Sequence, residues 1–249
     1  LCAALALALA LALALALALA LAGSRRSCSG TALRARYSRN VFSQNGEDGI
    51  IEELLRRLGL WRVGGHACEV GAWDGKRYSN TLRLVRDMAF RAVCIEGDPD
   101  KHPALLATCK EFPRLQPLLA PVPPGPGGLD ALLSQTSLPW SFDVLSVDID
   151  SFDYQVWQHT RRYRPIVVVI EIDSGVAPGE PAQRIYDPRD PSSQLTTFEP
   201  MLALGRAKGY SLAAHTGNMI FVRDDYAPRA RLRDLNSPAL FCREFLSRH

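Results

Sequence analysis

Short apolar runs and amphipathic stretches alternate from residue 42 to residue 223. Ile50, Ile51, Leu54, Leu55 and Leu58 fall three and four residues apart, the spacing of one helical face, and Gly59 supplies a stop behind them. Residues 67–70, 92–95, 115–120, 144–149 and 166–172 are short and apolar, as strands are. Between them, residues 80–88, 103–112, 129–134 and 154–163 read as helices. This alternation predicts βαβ units, and so a parallel sheet covered by helices on both faces. Val167-Val168-Val169-Ile170 is apolar at every position, as a central strand buried on both sides must be. Residues 198–208 form an amphipathic helix closed by Gly209, and residues 210–214 and 219–222 flank His215-Thr216-Gly217-Asn218, a hairpin turn. The expected fold class is α/β: a doubly wound, mostly parallel sheet ending in an antiparallel hairpin. Its domain spans residues 41–225, behind a polar linker (23–40) and ahead of a C-terminal extension (226–249) that packs on or trails it.

Residues 1–22 are Leu and Ala throughout except for Cys2. As a helix they would reach about 33 Å, enough to cross a bilayer core of about 30 Å. Their Ala20-Leu21-Ala22 end also fits a signal-peptidase site, and low-complexity sequence is a third reading. Arg25, Arg26, Arg34, Arg36 and Arg39 follow, so a true span would hold the domain on the cytoplasmic side, whereas a cleaved signal would export it. Membrane anchoring or the secretory pathway is the expected location. Without this leader the apolar fraction falls from 47% to about 42%, ordinary for a globular domain. A net charge of +3 gives no footprint for nucleic acid. Six cysteines with no CxxC exclude a disulfide scaffold and a cysteine-rich zinc module.

In an open α/β sheet, ligands bind beyond the carboxyl ends of the strands. The first strand ends Glu69-Val70-Gly71-Ala72-Trp73-Asp74-Gly75, an E-x-G-x-x-x-G pattern and not the G-x-G-x-x-G of a dinucleotide site. Two glycines there allow close approach of the backbone to a ligand, and an acid in place of a phosphate cradle suits an amine. The second strand ends Ile95-Glu96-Gly97-Asp98, where a carboxylate can accept both hydroxyls of a ribose.

These motifs resemble those of class I S-adenosylmethionine-dependent methyltransferases. Ser43-Gln44-Asn45-Gly46-Glu47-Asp48-Gly49, Glu69 to Gly75, Ser79-Asn80-Thr81-Leu82, Ile95-Glu96-Gly97-Asp98 and the stretch Leu145-Ser146-Val147-Asp148-Ile149-Asp150 with Asp153, Tyr154 and Trp157 resemble, more narrowly, the FkbM-like group. The resemblance covers about residues 37–223 and implies a Rossmann-like methyltransferase fold. It implies that Gly71 and Gly75 line the cofactor's amino-acid end, with Glu69 near its amine, Glu96 on its ribose and Asp98 beside it. Two departures stand out. Ser151 occupies an expected glycine position, and residues 117–128 carry five prolines where the adenine-side strand belongs.

The fourth strand ends in Asp148, Asp150 and Asp153, the fifth in Glu171-Ile172-Asp173. This is similar to metal-dependent catechol and caffeoyl-coenzyme A O-methyltransferases, which implies Mg²⁺ or Mn²⁺ on Asp148, Glu171 and Asp173. Oxygen donors suit such ions, which lower the pKa of a bound hydroxyl. Without metal, Asp150 or Asp153 would serve as general base. Alternatively, Asp148 and Asp153 cap the following helix. His159 reads as a surface residue, His215 as a turn residue near the sheet edge, and Cys68 and Cys94 as buried strand residues. Gln44 and Asp48 could reach over the cofactor, or Asn45 could simply cap the helix behind it.

The expected activity is methyl transfer from S-adenosylmethionine to an oxygen of a small, sugar-like or glycan acceptor, with the loop 175–193 shaping the pocket. Two alternatives stand beside it. One is a membrane-anchored glycosyltransferase using Asp148-Ile149-Asp150 as a DxD motif. The other is a non-catalytic relative that binds a partner at the membrane.

Overall fold

A computed structural model of the chain describes residues 32–190 and 195–241. The leader and its basic flank up to residue 31 lie outside them, and among the described residues no helix is long and apolar enough to cross a membrane.

The elements run α1 (Ala32–Tyr37), α2 (Glu47–Leu58), β1 (His66–Val70), α3 (Leu82–Met88), β2 (Arg91–Glu96), α4 (His102–Glu111), β3 (Leu115–Leu119), α5 (Gly128–Leu133), β4 (Val144–Val147), α6 (Asp153–His159), β5 (Val167–Glu171), α7 (Phe198–Ala207), β6 (Tyr210–His215), β7 (Asn218–Arg223) and α8 (Ala227–Ala230). The sheet order is β3-β2-β1-β4-β5-β7-β6. The first five strands pair in parallel, and β7 is antiparallel to both β5 and β6. This is the expected doubly wound, mostly parallel sheet with its terminal antiparallel hairpin.

Alternation along the strands builds two cores. In β5, Val167 and Val169 enter the layer shared with α2 and α3, beside Ile50, Leu54 and Leu82, while Val168 and Ile170 enter the layer shared with α6 and α7. Both pairs are fully buried, so positions 167–170 are all apolar and the strand turns polar only at its end, Glu171. Trp157 anchors the second layer, edge-on to Tyr210 at 5.5 Å and tilted on Phe221 at 5.0 Å.

Several boundaries differ from the sequence expectation for local reasons. Residues 32–37 of the expected linker form α1, whose Leu33 is fully buried. Gly49 lets the chain behind α1 press on α2, because a Cβ there would lie 1.9 Å from the Tyr37 carbonyl oxygen. The N-cap of α2 is Gly46 in a left-handed conformation, not Asn45. The hairpin loop is shorter than expected, since β6 runs through His215 and β7 begins at Asn218. Helix α6 ends at His159, four residues early, because Asp130 accepts the backbone N–H groups of Arg161, Arg162 and Tyr163 and holds them in a turn. Pro117 is tolerated in β3 because that strand is the sheet edge. In the C-terminal extension, Ala230 and Leu240 are buried, and Asn236 exchanges two hydrogen bonds with the Leu212 backbone.

Candidate active site

The strand order reverses between β1 and β4, and a cavity of about 710 Å³ opens there at the carboxyl ends of the strands. Gly71 sets its floor. Its φ is +81°, and a Cβ would sit 1.6 Å from the Asp148 carbonyl oxygen, so only glycine lets the loop after β1 close against the end of β4. Gly75, also left-handed, packs toward α4, where a Cβ would lie 2.8 Å from Leu105 Cδ1, and it does not line the cavity. Its role is to pack the loop, unlike the ligand contact that the resemblance implies.

Glu69 and Glu96 line the cavity and are about 5–6% exposed. Glu69 accepts the Ser79 and Thr81 hydroxyls and the Asn80 backbone N–H, all at 2.7 Å. Burial raises its carboxyl pKa, and those three donors oppose the rise. It therefore fixes the entry to α3, where residues 80 and 81 were expected to be helical already. Glu96 accepts the N–H groups of Trp73 at 2.7 Å and Asp98 at 2.8 Å, one on each oxygen. Each oxygen keeps a second lone-pair direction for a ligand hydroxyl. Asp98 itself points away, accepting the Asp100 N–H and facing Lys101 at 3.9 Å, and is not among the lining residues.

Asn80 was not singled out from the sequence as a ligand contact. Its amide donates to Ser146 Oγ at 3.1 Å, while its Oδ1, in a 4% exposed side chain that lines the cavity, has no partner among the described residues. A buried acceptor without a donor is costly unless a ligand supplies one.

On the far side, Asp148, Asp150 and Glu171 bring one oxygen each within 4.8 Å of one another. This is not the trio expected from sequence. Asp173 is drawn away by the Arg184 guanidinium and the Gly175 N–H, and Asp150 takes its place. Asp150 adopts φ +57°, so the left-handed residue of this loop is Asp150 and Ser151 needs no glycine-like conformation. Burial raises the carboxyl groups of both Asp148 and Glu171 well above the usual range, and their neighbouring acids add to the rise. Among the described residues, the buried Glu171 Oε2 has no hydrogen-bond partner.

Asp153, expected as a catalytic acid, is 1% exposed and lies outside the cavity lining. Its carboxylate accepts the N–H groups of Ile149 at 3.0 Å and Ser151 at 3.1 Å. Burial pushes its pKa up to about 7. It braces the β4–α6 loop from behind.

The remaining positions sort in the same way. Gln44 lines the cavity, but Asp48 turns inward, where one oxygen accepts three backbone N–H groups (Val41, Phe42, Ser43) and the Ser43 hydroxyl. His159 is not a free surface group, since its Nδ1 contacts the Pro124 carbonyl at 2.7 Å and secures the proline segment, whose residues 121–124 line the cavity. His215 is not in a turn. It is the last residue of β6, 1% exposed, stacked on Phe241, 2.9 Å from Ser174 Oγ, and its pKa is pushed down to about 3 by burial. Cys68 and Cys94 are buried thiols with raised pKa values, as their strand positions suggest.

No family model and no curated protein sequence matches the chain. Solved structures similar to it include M. capricolum TrmK in complex with S-adenosylhomocysteine (7% identity over 68% of this chain and 65% of that one, TM-score 0.40). The cyclopropane synthase MmaA2 from Mycobacterium tuberculosis is 17% identical over 70% of this chain and 65% of its own, with TM-score 0.40. A third is Haemonchus contortus phosphoethanolamine N-methyltransferase 2 in complex with S-adenosyl-L-methionine, at 10% identity, TM-score 0.42, covering 64% of this chain and 36% of that one. The chain thus covers less than two thirds of the length of each.

Proposed function

We propose that the protein transfers a methyl group from S-adenosylmethionine to an oxygen of a small, sugar-like or glycan acceptor, as a member of the FkbM-like group. The observation that carries this reading is Glu96, a buried carboxylate at the end of β2, beside the switch point, which lines the cavity and enters no ion pair among the described residues. Such a group is stabilised by ligand hydroxyls, and a ribose presents two of them together. Asn80 Oδ1 supplies the complementary acceptor for an ammonium group.

Bound there, S-adenosylmethionine supplies a methyl group on a sulfonium centre, an electrophile that needs alignment more than activation. Glu96 holds the ribose, and Asn80 with the Gly71 backbone holds the amino-acid end. Asp150, the exposed member of the acidic trio, takes the proton from the acceptor hydroxyl. Asp148 and Glu171 behind it share a proton, which limits the negative charge around the base. Asp153 is a positioning residue that keeps Asp150 in its left-handed turn.

A second reading of the same trio is a divalent cation, Mg²⁺ or Mn²⁺, on Asp148, Asp150 and Glu171. The unpartnered Glu171 Oε2 favours it, and an all-oxygen donor set suits those ions. The apolar leader supports action at a membrane or in the secretory pathway.

Calorimetric titration of the full chain with S-adenosylhomocysteine, with and without Mg²⁺, tests the reading. Binding in the micromolar range is expected with no need for metal. A folded protein that ignores S-adenosylhomocysteine but binds a sugar nucleotide with Mn²⁺ would replace methyl transfer by glycosyl transfer.

A further inference from the structure

The mouth of the cavity carries charge opposite to its floor. Arg77 and Lys101 both line it and both are exposed. The Arg77 guanidinium carbon lies 5.0 Å from the Trp73 ring centroid and 4.9 Å from that of Tyr78, and the two rings are 6.2 Å apart. Lys101 Nζ lies 5.5 Å from the same Trp73 ring. Neighbouring cations of this region are neutralised: Lys76 by Glu111, Arg83 by Glu52 and Asp87, Arg86 by Asp87. Arg77 enters no ion pair among the described residues, and Lys101 has only Asp98 at 3.9 Å, an exposed contact worth little.

Aromatic contacts take up the faces of a guanidinium and leave its N–H edge to donate. One Arg77 guanidinium nitrogen gives a hydrogen bond to Tyr78 Oη at 3.1 Å, and among the described residues its other guanidinium donors have no acceptor. Two cations gathered on one indole repel each other unless an anion comes between them. The cage is also built in advance. Trp73 (φ +47°) and Tyr78 (φ +61°) hold left-handed conformations that bulky residues rarely adopt. The Trp73 N–H bond to Glu96 and the Asp74 carboxylate, which accepts the Lys76 and Arg77 N–H groups, keep the loop in that shape.

We propose that Arg77, caged by Trp73 and Tyr78 and assisted by Lys101, is an oxyanion subsite for the acceptor, so that the molecule methylated carries a carboxylate, phosphate or sulfate group. This rests on the reading of the cavity as a methyl-transfer site. The cofactor's own carboxylate has the same chemistry. Arg77 and Lys101 stand exposed at the entrance, however, whereas Asn80, which holds the amino-acid end in that reading, is buried.

The test titrates inorganic phosphate at constant ionic strength into the full chain saturated with S-adenosylhomocysteine, followed by Trp fluorescence, with Trp73→Phe identifying the reporting residue. Saturable binding is expected in the millimolar range, weakened about tenfold or more by Arg77→Gln and about threefold by Lys101→Gln. The affinity of Arg77→Gln for S-adenosylhomocysteine should stay within about twofold of wild type. Phosphate binding that is absent, or indifferent to Arg77→Gln, overturns the subsite. Arg77→Gln weakening S-adenosylhomocysteine but not 5′-methylthioadenosine, which lacks the amino-acid end, overturns the acceptor assignment in favour of the cofactor's carboxylate. Failure of the underlying reading looks different: wild type would bind no S-adenosylhomocysteine at all, while phosphate titrated alone would still report whether Arg77 holds an oxyanion.

Discussion

Acids line the cavity on two sides, and the fold treats the two sides in opposite ways. Glu69 and Glu96, at the ends of β1 and β2, are each met by backbone N–H or hydroxyl donors on both oxygens. Asp148, Asp150 and Glu171, at the ends of β4 and β5, face mainly one another, and Glu171 Oε2 has no partner among the described residues. A carboxylate surrounded by donors is fixed in place and suited to hold a ligand. Carboxylates crowded together share protons or a cation, and suit chemistry on a hydroxyl. One side is a mould, the other a reservoir of charge.

The largest effect that sharpens this contrast is a pH dependence of Asp153, the donor-braced acid directly behind the crowded side. Burial pushes the Asp153 pKa from its ordinary 3.8 to about 7 in the folded chain, so its native state holds a proton that the unfolded chain releases. Its contribution is complete below the unfolded pKa and is lost as pH rises through about 7. The difference amounts to about 4 kcal/mol at 1.36 kcal/mol per pH unit. Unfolding by urea at pH 4 and pH 8 should show wild type losing about that much relative to Asp153→Asn, whose own offset does not vary with pH. A parallel pair of curves would mean that Asp153 is not buried as described.

Next in size is Glu69→Ala on the donor-filled side. It strands two hydroxyls and one N–H in a buried site, at a cost of about 3 kcal/mol, or a melting-temperature drop of roughly 6–12 °C. A drop of under about 2 °C would show that those donors find water or other partners.

The smallest stability effect belongs to Glu171→Gln. The amide keeps the shape and removes a group whose ionisation the site already resists, so stability at pH 8 should change by less than about 1 kcal/mol or rise. A loss as large as that of Glu69→Ala would place Glu171 among the structural acids.

Much of the sheet was legible in the sequence because parallel strands buried on both faces must be apolar runs, and the residues from Val167 to Ile170 can be read no other way. Strand-end acids were legible for the same reason, since a run that ends in a carboxylate marks where the core stops. What the sequence hid was the competition among those acids for partners. Nothing in the spacing says that Arg184 captures Asp173 from a loop eleven residues away, leaving Asp150 to complete the trio. Nor does it say that Asp153 turns back to its own loop. Asp48 and Asp130 were hidden likewise, because each collects consecutive backbone N–H groups, an interaction with no periodicity. Arg77 lies in a motif-adjacent loop whose conformation depends on left-handed Trp73 and Tyr78, which no residue preference announces.

The division of labour between the two sides is tested most directly by measuring S-adenosylhomocysteine affinity in Glu96→Gln and Glu171→Gln side by side. Glu96→Gln should weaken binding about thirtyfold, corresponding to about 2 kcal/mol for hydrogen bonds to a charged acceptor, while Glu171→Gln should stay within about twofold of wild type. Equal losses in the two variants, or a larger loss in Glu171→Gln, would contradict the assignment of ligand holding to one side and hydroxyl chemistry to the other.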